Sequence, residues 1–265
     1  MKVVVLLSCM HEDGHEIIER TNIQTDVVVI NQCDKEELEE FQFRNKSGAL
    51  CRAKFINTKE RGLSRSRNMA INNAWGDICL ICDDDELLED DYEEKIKRAY
   101  DKHPSENIIV FTIERRESES PQTYPNEERY VGLKQLLQTS SVQVTFKRDA
   151  IIKANISFDV MLGSGTGNGA GEENKFLMDC KRNGMKIYYV PLCLGAVLSG
   201  ISSWFSGYNK KYMIDRGWSS KRALGHFLGF LYISYFAISH KSLYKKEMNM
   251  TKAYYYLLKG YFQTR

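Results

Sequence analysis

The chain has 265 residues, of which 43% are hydrophobic, 27% charged and 11% aromatic. That is enough for a sizeable core in one large domain or two small ones, and 4 Pro and 18 Gly exclude a fibrous or low-complexity chain. The net charge of +2 hides an asymmetry: residues 200–265 hold 11 basic and 2 acidic residues, a balance of +9, and 16 of the 30 aromatics. No apolar run reaches the length of a membrane span. The apolar N-terminal run from Val3 to Leu7 lacks the long centre and cleavage site of a signal peptide. Seven cysteines, mostly within apolar runs, read as buried thiols of a reducing compartment, not as disulfides or a zinc site.

Along the chain, short β-branched runs alternate with helical stretches. Val3–Leu7, Val27–Ile30, Ala53–Ile56, Ile78–Cys82 and Ile108–Thr112 suit strands buried on both faces. Between them, Glu16–Arg20, Lys35–Phe41 (after a capping Asp34), Leu63–Ala74 and Glu89–Tyr100 read as helices. The rhythm predicts an α/β fold, a mainly parallel sheet with helices on both faces. The polar stretch from Glu114 to Pro121 reads as a surface loop, Ser141–Lys147 as a strand, and Asp149–Asn155 as a helical turn. Five glycines between Gly163 and Gly171 lead into a helix from Glu172 to Cys180, and Lys186–Val190 is a strand closed by Pro191. Beyond Gly200 the pattern is helical, basic and aromatic.

Three constellations carry chemistry. Asp83-Asp84-Asp85 follows a buried strand directly, at the sheet edge where open α/β proteins bind ligands. Adjacent carboxylates repel unless a cation neutralises them, and alternate strand residues point the same way, so Asp83 and Asp85 can share a hard divalent ion. The alternative is a solvated acidic turn. Arg61-Gly62-Leu63-Ser64-Arg65-Ser66-Arg67-Asn68, between a strand and a helix, offers forked donors suited to phosphate; a solvated basic helix start is the alternative. Glu172 and Glu173 open a helix behind the glycine-rich stretch. Either can act as a general base or simply complement the helix dipole. The glycines themselves predict a loop that is mobile without substrate.

In this order, with Asn31-Gln32 after the second strand and Gly171-Glu172-Glu173-Asn174 downstream, these pieces resemble the inverting family-2 glycosyltransferases of the GT-A fold. The resemblance spans roughly residues 1–200 and implies a Rossmann-related GT-A-like domain. Residues 1–112 would form its nucleotide-sugar half, 113–200 its acceptor half, and 201–265 a helical extension. It implies a nucleotide-sugar donor, a UDP-sugar above all, and a Mn²⁺ or Mg²⁺ ion held by Asp83 and Asp85. It places Cys9, Asn31, Arg61, Arg67, Asp83 and Asp84 around the donor. Glu173 becomes the base by position, with Glu172 its neighbour and alternative. Ser8-Cys9-Met10-His11 stands where the family has Pro-Thr-Tyr-Asn, and Asn31 stands where it often has a uracil-reading Asp. The acceptor implied is a glycan, carried on a lipid, in surface polysaccharide synthesis.

The basic, aromatic tail suits attachment to an anionic membrane surface, which would put the protein in the cytoplasm at the inner face of the plasma membrane. Packing on the catalytic body or between two copies of the chain is the alternative. No nucleic-acid motif accompanies the tail, so nucleic acid is not expected. Two other functions use the same acids. A sugar-phosphate nucleotidyltransferase would need a glycine-rich loop after the first strand, and Ser8–Gly14 contains one glycine. An inactive sugar-binding protein would have no need of Asp83, Asp85 and Glu173.

Overall fold

The computed structural model describes residues 1–116, 123–198, 205 and 207–265. The strand β1 (Val3–Met10) sits at the centre of a ten-stranded sheet. The single turn α1 (Ile17–Arg20) leads to β2 (Asp26–Gln32), β3 (Glu37–Arg44) and β4 (Leu50–Thr58). Then come α2 (Leu63–Asn73), β5 (Ile78–Asp83), β6 (Glu86–Leu88), α3 (Tyr92–Lys102) and β7 (Ile108–Arg115). After β8 (Arg129–Tyr130) and the turn α4 (Leu133–Leu136), a 3₁₀ turn at Ser141–Gln143 opens β9 (Val144–Lys147) and α5 (Arg148–Lys153). The helix α6 (Glu172–Arg182) and β10 (Ile187–Val197) complete the body. The tail is α7 (Lys210–Leu224), α8 (His226–Ser239), the turn α9 (Lys241–Tyr244) and α10 (Met250–Phe262).

The sheet runs β3-β4-β2-β1-β5-β9-β7-β10-β6, with β8 paired to β10. Its core, β4-β2-β1-β5, is parallel, and β7 and β10 are parallel to each other; β3, β6, β8 and β9 pair antiparallel. Side-chain alternation splits each central strand between two cores. Val4, Leu6, Val28, Ile30, Cys79 and Ile81 face the cluster under α2 and α6. Val3, Val5, Leu7, Val27, Val29 and Leu80 face the cluster under α1 and α3. Both faces are covered, so these strands read as unbroken apolar runs. All seven cysteines are free thiols, and six are buried.

Register matters most at one edge. Ser8 pairs with both Ile30 and Asp83, Cys9 with Asn31, and Asn31 with Asn57. The parallel core therefore delivers its carboxyl ends side by side, with β1 as the switch point between neighbours on either hand, where open α/β sheets place ligands.

Three expectations need correction. The stretch Lys35–Phe41 is not a helix, because Glu37–Arg44 forms the edge strand β3. Phe41 and Phe43 turn inward on alternate positions, and His15 stacks on Phe41 at 4.2 Å. Glu40, Gln42 and Arg44 on the other positions face water, so the charge spacing imitates a helix while the aromatics keep a period of two. The turn at Asn45–Gly48 closes the hairpin, with Asn45 Oδ1 accepting from the Ala49 amide at 2.9 Å and Gly48 at φ +82°. Second, β10 does not stop at Pro191. It runs on to Val197 with register shifts after Tyr189 and Cys193, which let a residue lacking an amide proton sit within a strand. Third, the glycine-rich stretch is not an unpinned loop. Gly163 N donates to Gly169 O at 3.0 Å and Leu63 N to Ser164 O at 3.0 Å. Lys211 Nζ reaches Gly167 O at 2.7 Å, and Arg265 reaches Asn168 Oδ1 at 2.9 Å. The positive φ of Gly163, Gly165, Gly167, Gly169 and Gly171 shows what the glycines are for: a backbone path that side-chain-bearing residues rarely take.

The tail packs on the body. Ala223 and Leu224 of α7 join the core under α2 and α6, while Met213, Ile233, Phe236, Leu257 and Tyr261 form a core of their own. The boundary expected at residues 200–201, the Ser202–Trp204 start of the aromatic stretch and residues 117–121 of the polar loop lie outside the described residues.

Candidate active site

Arg67 organises the site. On α2, Ser64, Arg67, Ala70 and Ile71 share the buried face, and Ser66 Oγ, also buried, donates to Ser8 Oγ of β1 at 2.8 Å. Arg67 is 1% exposed. Its Nη1 donates to Glu172 Oε1 at 2.9 Å. Its Nη2 donates to Asp83 Oδ1 and Oδ2 at 3.0 and 3.2 Å, and lies 2.8 Å from Ser141 Oγ. The Phe158 ring lies under the guanidinium at 5.5 Å. Burial alone would favour a neutral arginine. The charges of Asp83 and then Glu172 outweigh it and raise the pKa above the ordinary value. One cation thus joins the carboxyl end of β5 to the start of α6.

The acid run is divided by the fold. Asp83 ends β5, Asp84 and Asp85 form the turn, and Glu86 opens β6. Asp85 is therefore not on the strand, as simple alternation expects, and its carbonyl accepts from the Leu198 amide at 2.9 Å. Burial, then the charges of Asp83 and Asp85, hold the Asp84 carboxyl above the usual range. Glu86 is buried, and neither of its carboxylate oxygens has a hydrogen-bond partner among the described residues. Burial and the Asp83 charge push it well above the carboxylate range. The short strand β6, paired through Glu86 to Val197, is what takes Glu86 inside. Among the described residues no three His, Cys, Asp or Glu side chains converge as a metal cluster. The crowded acids still fit a Mg²⁺ or Mn²⁺ ion, which needs only one or two carboxylates when phosphates and water complete its shell.

At α6 the two glutamates part company. Glu172 is buried against Arg67, and its Oε2 accepts from the Gly171 amide at 3.1 Å. Glu173 makes no ion pair among the described residues. Burial, then the neighbouring Glu172 charge, raises its carboxyl to about 8. A carboxylate that holds its proton this strongly is a stronger base once ionised.

On the far side of β1, Asn31 is buried between the loop after β1 and β4. Its Nδ2 donates to Glu12 O at 2.8 Å and Asn57 Oδ1 at 2.7 Å, and its Oδ1 accepts from the Glu12 amide at 3.1 Å. Cys9 Sγ lies inside, 3.7 Å from Ile30 O, and burial raises its pKa far out of the physiological range. Arg61 clamps the strand ends: Nη1 donates to the carbonyls of Cys33 and Thr58 at 3.0 and 3.1 Å, and Nη2 pairs with Asp34 at 2.6 Å. Beside these residues lies a cavity of about 240 Å³ walled by His11, Glu12, His15, Asp34, Phe55 and Asn57. The structure therefore gathers Arg67, Asp83, Glu172 and Glu173 in one cluster, with Cys9, Asn31 and Arg61 on the adjoining wall of the same sheet edge. Ser141 was not foreseen as a member; its only signal is the capping box that ties Ser140 to Gln143.

A family profile described as Glycosyl transferase family 2 matches residues 15–163, more than half the chain. No curated relative matches the chain in sequence. Crystal structures of S. aureus TarS residues 1–349 share its fold. One has a TM-score of 0.65 at 14% identity, covering 98% of this chain and 80% of that one. A complex of the same fragment with UDP-GlcNAc gives 0.65 at 14% identity over 97% and 80%. A complex with UDP gives 0.59 at 12% over 95% and 77%.

Proposed function

The chain belongs to glycosyl transferase family 2, and we propose that it moves a sugar from a UDP-sugar to a glycan acceptor in one inverting, metal-dependent displacement. The observation that carries this reading is the Arg67 bridge, which sets the strand-end Asp83 and the α6 acid pair on one wall. The two TarS complexes, with UDP-GlcNAc and with UDP, support a uridine nucleotide as donor. Residues 1–112 form the donor half, with the base in the cavity between His15 and Asn57, and residues 113–200 form the acceptor half. Asp83 and Asp85 would hold the Mn²⁺ or Mg²⁺, whose chemistry is to neutralise charge on the departing diphosphate.

Glu173 receives the proton of the acceptor hydroxyl as its oxygen bonds to the anomeric carbon. The bond from that carbon to the diphosphate oxygen breaks on the opposite face, and its electron pair leaves with the nucleoside diphosphate. Glu172 is engaged by Arg67, so it positions the helix and leaves proton transfer to its neighbour. A lipid-linked acceptor fits the tail. In α8, Phe227, Leu231, Tyr235 and Ile238 are exposed, and Lys241, Lys245 and Lys246 follow. No helix of the described residues is long and apolar enough to cross a membrane, so this face would lie on an anionic surface at the inner side of the plasma membrane. A second copy of the chain is the competing cover for it.

The test is Glu173→Gln. Turnover should fall by about a hundred- to ten-thousandfold with donor affinity nearly intact. Glu172→Gln should cost fold stability and less turnover. An undiminished rate in Glu173→Gln would overturn the assignment.

A further inference from the structure

Across the glycine-rich loop from the donor acids lies another cavity of about 230 Å³. Gly163, Gly165 and Gly169 wall one side, and Lys211, Asp215 and Arg216 of α7 the other; Asp83, Asp84, Asp85 and Arg61 lie outside it. The approach is close. A Cβ on Gly169 would come within 3.0 Å of the Asp215 side chain, and at φ +89° a glycine is needed in any case.

The charges of this wall do not balance. Asp215 is buried and already held by Lys211 and by Arg265, whose Nη2 is 2.7 Å away. The Arg216 guanidinium lies over the rings of Phe236, Tyr212 and Tyr232 at 5.1, 5.6 and 5.9 Å. Its Nε is buried without a hydrogen-bond partner, and no carboxylate pairs with Arg216 among the described residues. Burial is opposed at Arg216 first by Tyr212 and Tyr232, the Tyr212 side chain hydrogen-bonding to it, and last by Glu173. Glu173 keeps its proton near neutral pH, so the guanidinium has phenol partners but no carboxylate to neutralise it. A cation withdrawn from water without an anion is costly, and an arginine fork matches phosphate and carboxylate oxygens.

We infer that this cavity binds an oxyanion of the acceptor, a phosphate or a carboxylate near the accepting hydroxyl, with Arg216 as the forked donor and Lys211 at the rim. The inference rests on the transferase reading only in calling this anion the acceptor's. Because Glu173 lies within electrostatic reach, an acceptor anchored here presents its hydroxyl on the side of the base.

The experiment titrates inorganic phosphate and, separately, acetate into the wild type, Arg216→Gln and Lys211→Gln, with a parallel titration of UDP and Mn²⁺. At least one anion should bind the wild type, about tenfold or more weaker in Arg216→Gln and about two- to fivefold weaker in Lys211→Gln, with UDP affinity unchanged in all three. Whichever anion shows this dependence names the acceptor group. Lys211 is exposed, so its variant reports even where Arg216→Gln fails to fold. Equal anion affinity in the wild type and the folded variants would overturn the inference, as would UDP affinity falling in step with it, which would put Arg216 on the donor. Failure of UDP to bind the wild type would sink the donor reading and leave the anion comparison standing.

Discussion

Replacing Arg67 with methionine keeps most of the side-chain volume and removes the charge. What remains is Glu172, buried, and Asp83, with 27% of its side chain exposed, each without its cation. Breaking a buried ion pair by removing one partner costs about 3–5 kcal/mol, most of it from the charge left behind. Asp83 can turn partly to water, so Glu172 carries the larger share. At about 2–4 °C per kcal/mol for a chain of this size, the unfolding midpoint should drop by roughly 10 °C. Adding Glu172→Gln to Arg67→Met should restore part of the loss, since a neutral amide needs no counter-charge. Thermal unfolding followed by circular dichroism measures the wild type and both variants. A midpoint within about 2 °C of the wild type, or a double variant no more stable than Arg67→Met, would refute the view that Arg67 holds the site together by charge.

Other outcomes follow from single contacts. The Glu173 carboxyl is raised from its ordinary value to about 8, so between roughly pH 4.5 and 8 the folded chain binds more protons than the unfolded one. Stability should therefore fall as pH rises through that window while turnover climbs, and Glu173→Gln should flatten both profiles; an acid limb near pH 4.5 instead would contradict the shift. Asp85→Asn should abolish metal-dependent binding of a UDP-sugar in calorimetry with Mn²⁺, and unchanged affinity would end the metal assignment. A Cβ at Gly260 would run into the Ile214 carbonyl where α10 crosses α7, so Gly260→Ala should lower the midpoint by several degrees, and an unshifted melt would mean that the crossing yields easily. Phe227→Asp combined with Ile238→Asp should release the protein from vesicles containing phosphatidylserine in a sedimentation assay, whereas equal binding would discount α8 as the docking face.

The parallel strands were legible in the chain because burial on both faces leaves no room for polar residues, as Val3–Leu7 and Ile78–Cys82 show. The acid triplet's place at a strand end was legible for the same reason: the apolar run stops where the sheet meets solvent. The edge strand β3 was not. One of its faces is wet, its charges are free to sit at any spacing, and only the Phe41–Phe43 alternation betrayed it. Arg67 was legible as a donor-side arginine but not as the bridge between Asp83 and Glu172, since those partners lie 16 and 105 residues away, and distance along the chain says nothing of distance across α2, β5 and α6. Glu172 and Glu173 looked equivalent because adjacent helical positions differ only in direction, by about 100°. Which of them meets Arg67 depends on how α6 is rotated against α2. That rotation is set by the packing of Phe176 and Leu177 in the core, a property of the assembled layers that no local stretch of sequence contains.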